Sequence, residues 1–356
     1  MSFRGILEYG TDASTAFYAV DANMDAARAA PIDGTVISVF TDSGVQLSVN
    51  TFTGIAYTMN DLSNALADMS AANCYGWGKL RYRFIKTHCS SQSGAFIDPF
   101  DPAFDTVIAN YKLLGRFAAL TGCGINFDGE AYTAGLWTYD DQPLKGSYAI
   151  EEYQARWYEI GYELGTYWLS QDPNMLVFIF LGYEVAANSN QPPATNPSWL
   201  YNWFLNGLHD AYAPSFDSQG VIRPKHLIST AEVSYACTTS SCIDNAINQV
   251  TGAAGRTYRG QSQYFGTFVD EFGLALWIDR APFNPATPEL NYFTPAVFRD
   301  RLLDIARELP WAWIYDPDYA FYNVTTPRPI GLIPQAYIDE IDYVRRRLDL
   351  PIGDEY

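Results

Sequence analysis

One alternation runs the length of this chain and limits its fold more than any other feature. Short β-rich runs open it: GILEY (Gly5–Tyr9), TVISVF (Thr35–Phe40), LRYRFIK (Leu80–Lys86) and GINFDGE (Gly124–Glu130). They continue as MLVFIFLGYE (Met175–Glu184), HLISTAE (His226–Glu232), FGTFVDE (Phe265–Glu271) and WAWIY (Trp311–Tyr315). A helical pattern follows each run: Ala16–Ala29, Asn60–Met69, Asp105–Leu120, Ile150–Leu169, Trp199–Tyr212, Ile243–Val250, Pro295–Leu309 and Gln335–Leu348. The third shows the spacing plainly, with Val107, Ile108, Tyr111 and Leu114 on one stripe.

Eight strand-then-helix units require parallel strands joined by crossover helices. Closing them on themselves gives an α/β fold, a single (β/α)8 TIM barrel, and 356 residues lies in the range of that fold. An open doubly wound sheet is the alternative, but no Gly-rich phosphate loop follows the first strand. No low-complexity linker divides the chain, so residues 1–356 read as one catalytic domain. The Pro- and Asn-rich stretch Ala187–Ser198 reads as a long loop after strand five.

Composition narrows the function. Hydrophobic residues at 48% and charged residues at 17% describe a globular chain. A net charge of −18, with no basic stripe, argues against nucleic acid and against an anionic membrane surface as partners. No apolar run approaches the ~20 residues that span a bilayer. The opening MSFRGILEYG lacks the apolar core of a secretory leader. The protein is therefore expected in the cytoplasm or, if a leader has been trimmed, in an extracellular or periplasmic location. Cys237 and Cys242 are spaced either to close a small loop bridge or to remain two thiols. Cys74, Cys89 and Cys123 match no metal-ligand spacing and only three His residues are present, so no metal or other cofactor is expected. Oligomeric state is not legible.

Strand four carries the strongest chemical signal. In CGINFDGEAY (Cys123–Tyr132), Asn126, Asp128 and Glu130 share one face and Ile125 and Phe127 the other. On a barrel strand the apolar face meets the helices, which turns the three polar groups toward the axis and the open mouth. Burying two carboxylates there costs several kcal/mol unless partners or a purpose compensate. Close carboxylates also drive each other's pKa apart, which keeps one protonated as an acid. Other strands end in acids too: Glu8, Glu184, Glu232, the pair Asp270 and Glu271, and Asp316 after strand eight. Some of these serve as helix caps or turn residues.

The remaining assignments follow from phase. With Leu80, Tyr82 and Phe84 toward the helices, Arg81 and Arg83 point inward, Arg83 to hold an acid or a substrate hydroxyl, and Lys86 points out. That phase weakens a Schiff-base role for Lys86. His88 and His226 support neither a metal nor a triad, and no G-x-S-x-G elbow is present. On strand seven Thr267, Val269 and Glu271 are expected inward, with Asp270 the alternative. Tyr132, Trp137, Tyr183, Trp277 and Trp313 lie near strand ends, where aromatic faces stack on sugar rings.

Carboxylates on strands four and seven of such a barrel resemble the arrangement of the large clan of retaining glycoside hydrolases. The resemblance implies Glu130 as acid/base and Glu271 as nucleophile. GINFDGEAY also resembles the strand-four signature of chitinase-like family 18 hydrolases, Asp-x-Asp-x-Glu, with Asn126 in place of the first Asp and Gly129 in place of a bulkier residue. That likeness implies Asp128 assisting an N-acetyl nucleophile. ILEYGTDASTAF, PIDGTVISV and FDGEAY together look like a glycosidase-like barrel family of environmental bacteria. The expected function is cleavage of a glycosidic bond in a poly- or oligosaccharide, with Glu232 and Asp270 among the substrate-binding residues and a neutral glycan as substrate. Two alternatives are a barrel that binds glycans without cutting them, in a surface or virion assembly, and a metal-dependent lyase or isomerase using Asp128, Glu130 and Glu232.

Overall fold

The computed structural model describes residues 3–89, 96–130, 135–180, 199–212, 215–216, 222–223, 227–251, 272–278, 293–316, 319–321 and 331–348. Eight parallel strands form a closed barrel: β1 (Gly5–Ser14), β2 (Gly34–Ser38), β3 (Tyr82–His88), β4 (Gly124–Asp128), β5 (Val177–Ile179), β6 (Leu227–Ala231), β7 (Phe272–Trp277) and β8 (Trp311–Tyr315). Each lies beside its neighbours in sequence, and pairing of Gly5–Tyr9 with Trp311–Tyr315 closes the ring. The helices are α1 (Asp21–Ala29), α2 (Ser63–Tyr75), α3 (Phe104–Thr121), α4 (Ile150–Gln171), α5 (Trp199–Ala211), α6 (Ser240–Thr251), α7 (Pro295–Glu308) and α8 (Gln335–Arg347). The chain is thus the (β/α)8 barrel that the alternation predicts.

Two cores hold it together. The larger lies between strands and helices and takes the outward residues, among them Ile6, Ile37, Ile85, Ile125, Val177 and Leu274. Helices α4 and α5 cross closely in this layer. A Cβ on Gly161 would lie 2.0 Å from Phe204 O, and one on Gly207 2.0 Å from Tyr158 O, so only glycine fits at either point. The smaller core fills the barrel interior with Leu7, Phe84, Phe178, Ile228, Trp311 and Trp313.

Two strands depart from expectation. On β3, Tyr82 and Phe84 face inward, 4.8 Å from Trp311 and 5.3 Å from Phe178. Arg81 and Arg83 face out, the reverse of the predicted phase. Arg83 donates to Gly122 O at 2.9 Å and its guanidinium sits 4.9 Å from the Trp77 ring. The expectation turned the apolar face of each strand toward the helices, whereas the lower half of the interior is itself packed with apolar and aromatic side chains. The second departure is at strand seven. The seventh barrel strand is Phe272–Trp277, downstream of the expected Phe265–Glu271. Its first two inward positions are small: Gly273 and Ala275 pair with Trp311 and Trp313, large inward residues of β8. The run Phe265–Glu271, with Asp270 and Glu271, lies outside the described residues.

At the amino end of the barrel, buried Asp33 gathers three donors. Its carboxylate accepts from Ile6 N at 2.9 Å and from Arg81 at 3.1 Å, and it pairs with Arg345 of α8 at 2.5 Å. Asp33 and Arg345 are 0% and 4% exposed. One side chain thereby ties β1, β3 and the last helix together.

Cys237 and Cys242 are joined as a disulfide, the bridged alternative of the sequence reading. Cys74 is exposed, while Cys89 and Cys123 are buried, and burial pushes both of those thiols up. Native protein treated with iodoacetamide should take up one equivalent quickly, at Cys74. Denaturation without reductant should raise the total to three, and reduction to five. Rapid native labelling at Cys89 or Cys123 in an intact-mass experiment would contradict this burial.

Candidate active site

Strand β4 builds the site as its alternation predicts. Ile125 and Phe127 enter the strand–helix core, where Phe127 stacks on Phe204 at 4.7 Å. Asn126 and Asp128 lie on the opposite face. The register sets Lys86 beside Asn126 and His88 beside Asp128, so these two basic residues of β3 face the axis near the mouth, unlike Arg83. Lys86 Nζ stands 4.9 Å from the Tyr9 ring centre, correcting its expected outward position. Asn126 Nδ2 donates to Phe178 O at 3.1 Å.

Asp128 has both oxygens committed. Tyr9 OH donates to Oδ2 at 2.6 Å, and His88 Nε2 lies 3.5 Å from the same atom. Oδ1 accepts the backbone N–H of Glu130 at 3.1 Å. Asp128 therefore pins the chain where it leaves the strand and fixes the backbone at Glu130.

The turn between them is wedged in place. Trp137 Nε1 donates to Gly129 O at 2.9 Å, and a Cβ on Gly129 would lie 2.2 Å from Tyr201 Cζ. Tyr201 is fully buried, so it cannot step aside. The glycine that departs from the family 18 signature is thus required by packing. Gly129→Ala should lower stability by about 1–3 kcal/mol, the scale of overpacking, and depress any activity that depends on Glu130. Equal melting temperatures and turnover for variant and wild type would count against this account.

Glu130 is part-buried. Two groups on opposite sides feel its charge. Cys89, just after β3, has its thiol raised by burial, then by Asp128, and also by Glu130. Tyr235, just after β6, has its phenol pushed well up by burial, then by Glu232, with Tyr315 and Glu130 adding to it. Tyr9, which holds Asp128, stacks on Tyr315 at 6.2 Å, and Tyr315 stacks in turn on Tyr235, so the end of β4 and the Glu232–Tyr235 turn share the mouth. In that turn Tyr235 OH donates to Glu232 Oε1 at 2.8 Å and Tyr235 N to Glu232 O at 2.9 Å.

Aromatic rings line the same side. Tyr235 stacks on Tyr315 at 5.3 Å and 12°, and Trp277 meets Tyr315 edge-on at 5.0 Å. Trp313 lies below, 5.6 Å from Tyr235 and stacked on Phe180 at 4.7 Å.

Of the residues singled out from the sequence, Asp128, Glu130, Glu232 and Trp277 come together here. Arg83 does not, because it points into the helix layer. Trp137 is buried against Trp157 and Tyr201 and supports the turn. Glu8 is buried on the outward phase of β1, where it accepts from Thr35 Oγ1 and ties β1 to β2. Tyr132, Tyr183, Glu184, Asp270 and Glu271 lie outside the described residues. Tyr9, Lys86, Tyr235 and Tyr315 were missed as site residues. The signal for Tyr315 is its place as the last residue of β8, and Tyr9 is its register partner on β1. For Tyr235 it is an acid three residues earlier. Among the described residues, no group of three metal-ligating side chains converges.

Fold and site together define a (β/α)8 barrel with carboxylates and aromatic rings gathered at the carboxyl ends of its strands. No family model matches the sequence, and no curated protein matches it. Solved structures with a similar fold include a GH5-4 broad specificity endoglucanase from Clostridium acetobutylicum, at 10% identity and TM-score 0.49, covering 96% of this chain and 97% of that one. A beta-mannanase from the blue mussel Mytilus edulis, at 10% identity and TM-score 0.47, covers 99% and 98%. A D-allulose 3-epimerase from Methylomonas sp., at 11% identity and TM-score 0.41, covers 98% and 99%. Hydrolases and an epimerase stand side by side at this level of likeness, so the chemistry has to be argued from the residues.

Proposed function

We propose that the protein is a glycoside hydrolase acting on a poly- or oligosaccharide, with Glu130 as its general acid. The observation that supports this most is the setting of Glu130: a part-buried residue just past β4, its backbone held by Asp128, at a mouth where Tyr235, Tyr315 and Trp277 gather. A proton donor beside flat apolar faces suits a sugar ring, whose C–H faces stack on aromatics while its bridging oxygen takes the proton. The net charge of −18 favours a neutral glycan over a polyanion.

Asp128 is a positioning residue in this reading. Its oxygens are occupied by Tyr9 and the Glu130 N–H, which supports holding the acid over polarising an N-acetyl group. A retaining mechanism needs a second carboxylate about 5–5.5 Å from the first. The resemblance to retaining hydrolases offers Glu271, with Asp270 beside it, and both precede β7 in the chain. The test is product release from neutral and N-acetylated polysaccharides. Cleavage of a neutral glycan is expected. Failure to cut any of them, with binding to one retained, would replace hydrolysis by a glycan-binding role.

A further inference from the structure

We infer that the second carboxylate of the site is Glu232 at the end of β6, with Tyr235 as the residue that positions it; this rests on the glycosidase reading above. The carboxyl end of β7 is Trp277, an aromatic residue, so the described part of that strand supplies no acid at the mouth. Glu232 does stand there. It is part-buried, it accepts from a buried phenol at 2.8 Å, and that phenol also feels the charge of Glu130. Because its phenol is raised, Tyr235 stays a donor at every working pH and orients the Glu232 carboxylate without taking its place as a base.

An independent feature points to a ligand in the same space. Trp313 is 1% exposed and packs against Tyr235, yet its Nε1 has no partner among the described residues. On the facing strand, buried Asn126 Oδ1 also has none. A buried donor and a buried acceptor on facing strands each call for a hydroxyl group or water as partner.

The step proceeds as follows. A Glu232 oxygen attacks the anomeric carbon; the new C–O bond forms as the glycosidic C–O bond breaks, and the leaving oxygen takes the Glu130 proton. Water then attacks the same carbon and gives a proton back to Glu130. The ester bond breaks and the Glu232 carboxylate is restored.

The test uses dinitrophenyl 2-deoxy-2-fluoro-β-glycosides of cellobiose, mannobiose and xylobiose, with the corresponding unfluorinated glycosides as substrates. Wild type should gain one fluoroglycosyl mass on the peptide containing Glu232, and Glu232→Ala should gain none. Azide should rescue Glu232→Ala on the unfluorinated substrate, giving a glycosyl azide of inverted configuration. Tyr235→Phe should lose about 10-fold or more in kcat/KM and move the acidic limb of its pH profile upward, because an ionised carboxylate loses a hydrogen bond. A label on Asp128, Glu130, Asp270 or Glu271 would overturn the assignment while leaving the glycosidase reading intact. So would turnover of the unfluorinated glycosides without any label. A wild type that cleaves no glycoside, natural or activated, would remove the reading and this inference together.

Discussion

Glu130→Gln is expected to fold as the wild type does and to lose at least ~10²-fold in kcat/KM on a natural glycan, the scale of general-acid catalysis. The fold should survive because the contact that fixes this residue is made by its backbone: the N–H to Asp128 is unchanged by the substitution. Glutamine matches the side chain in size but has no acidic proton for a departing sugar oxygen. The loss should therefore depend on the leaving group. On a dinitrophenyl glycoside, whose leaving group departs without protonation, the variant should recover most of the wild-type rate of bond cleavage. Melting curves run beside the kinetics separate chemistry from folding. Wild-type turnover of the natural glycan by the variant would end the role assigned to Glu130.

The largest effect on stability is expected at the other end of the barrel. Asp33→Ala removes the one carboxylate that serves Ile6 N–H, Arg81 and Arg345. Arg345 is buried and would lose this carboxylate, and breaking a buried pair from one side costs about 3–5 kcal/mol. At about 2.1 cal/mol/K per residue, that is a fall of about 4–7 °C in melting temperature for a chain of 356 residues. Arg345→Ala should be destabilising too, and the double variant should fall short of the sum of the singles, because each already removes the shared interaction. Two singles that melt with the wild type would show that the last helix is held by its apolar face alone.

The sequence and the structure part company at identifiable places. The eight-unit alternation and the inward face of β4 were legible because both rest on local period: 2 along a strand, 3.6 along a helix. β8 and α4–α5 fall within a residue or two of their expected limits for the same reason. β3 was read in the wrong phase because its alternation, Arg-Tyr-Arg-Phe-Ile-Lys, is amphipathic either way. What decided it was the room inside the barrel beside Trp311 and Phe178, and the Gly122 carbonyl and Trp77 ring face that receive Arg83. β7 slipped because Phe265–Trp277 is β-prone along most of its length. Partners in β8 fix the register, through the fit of Gly273 and Ala275 against two tryptophans.

The site divides the same way. Glu130 and Asp128 could be found from β4 alone, since three polar groups at every second position have no other local reason to be there. Tyr9 and Lys86 could not, because Tyr9 matters through a contact with Asp128, 119 residues away, and Lys86 through a strand phase that the neighbours set. By itself, then, the sequence determined the barrel, the polar face of its fourth strand and the acid at its end, all of them consequences of local periodicity. The tertiary structure alone decided which basic residues face the axis, which residues form the seventh strand and which tyrosine holds Asp128. Those choices depend on side-chain volume and hydrogen-bond partners brought together only when the barrel closes.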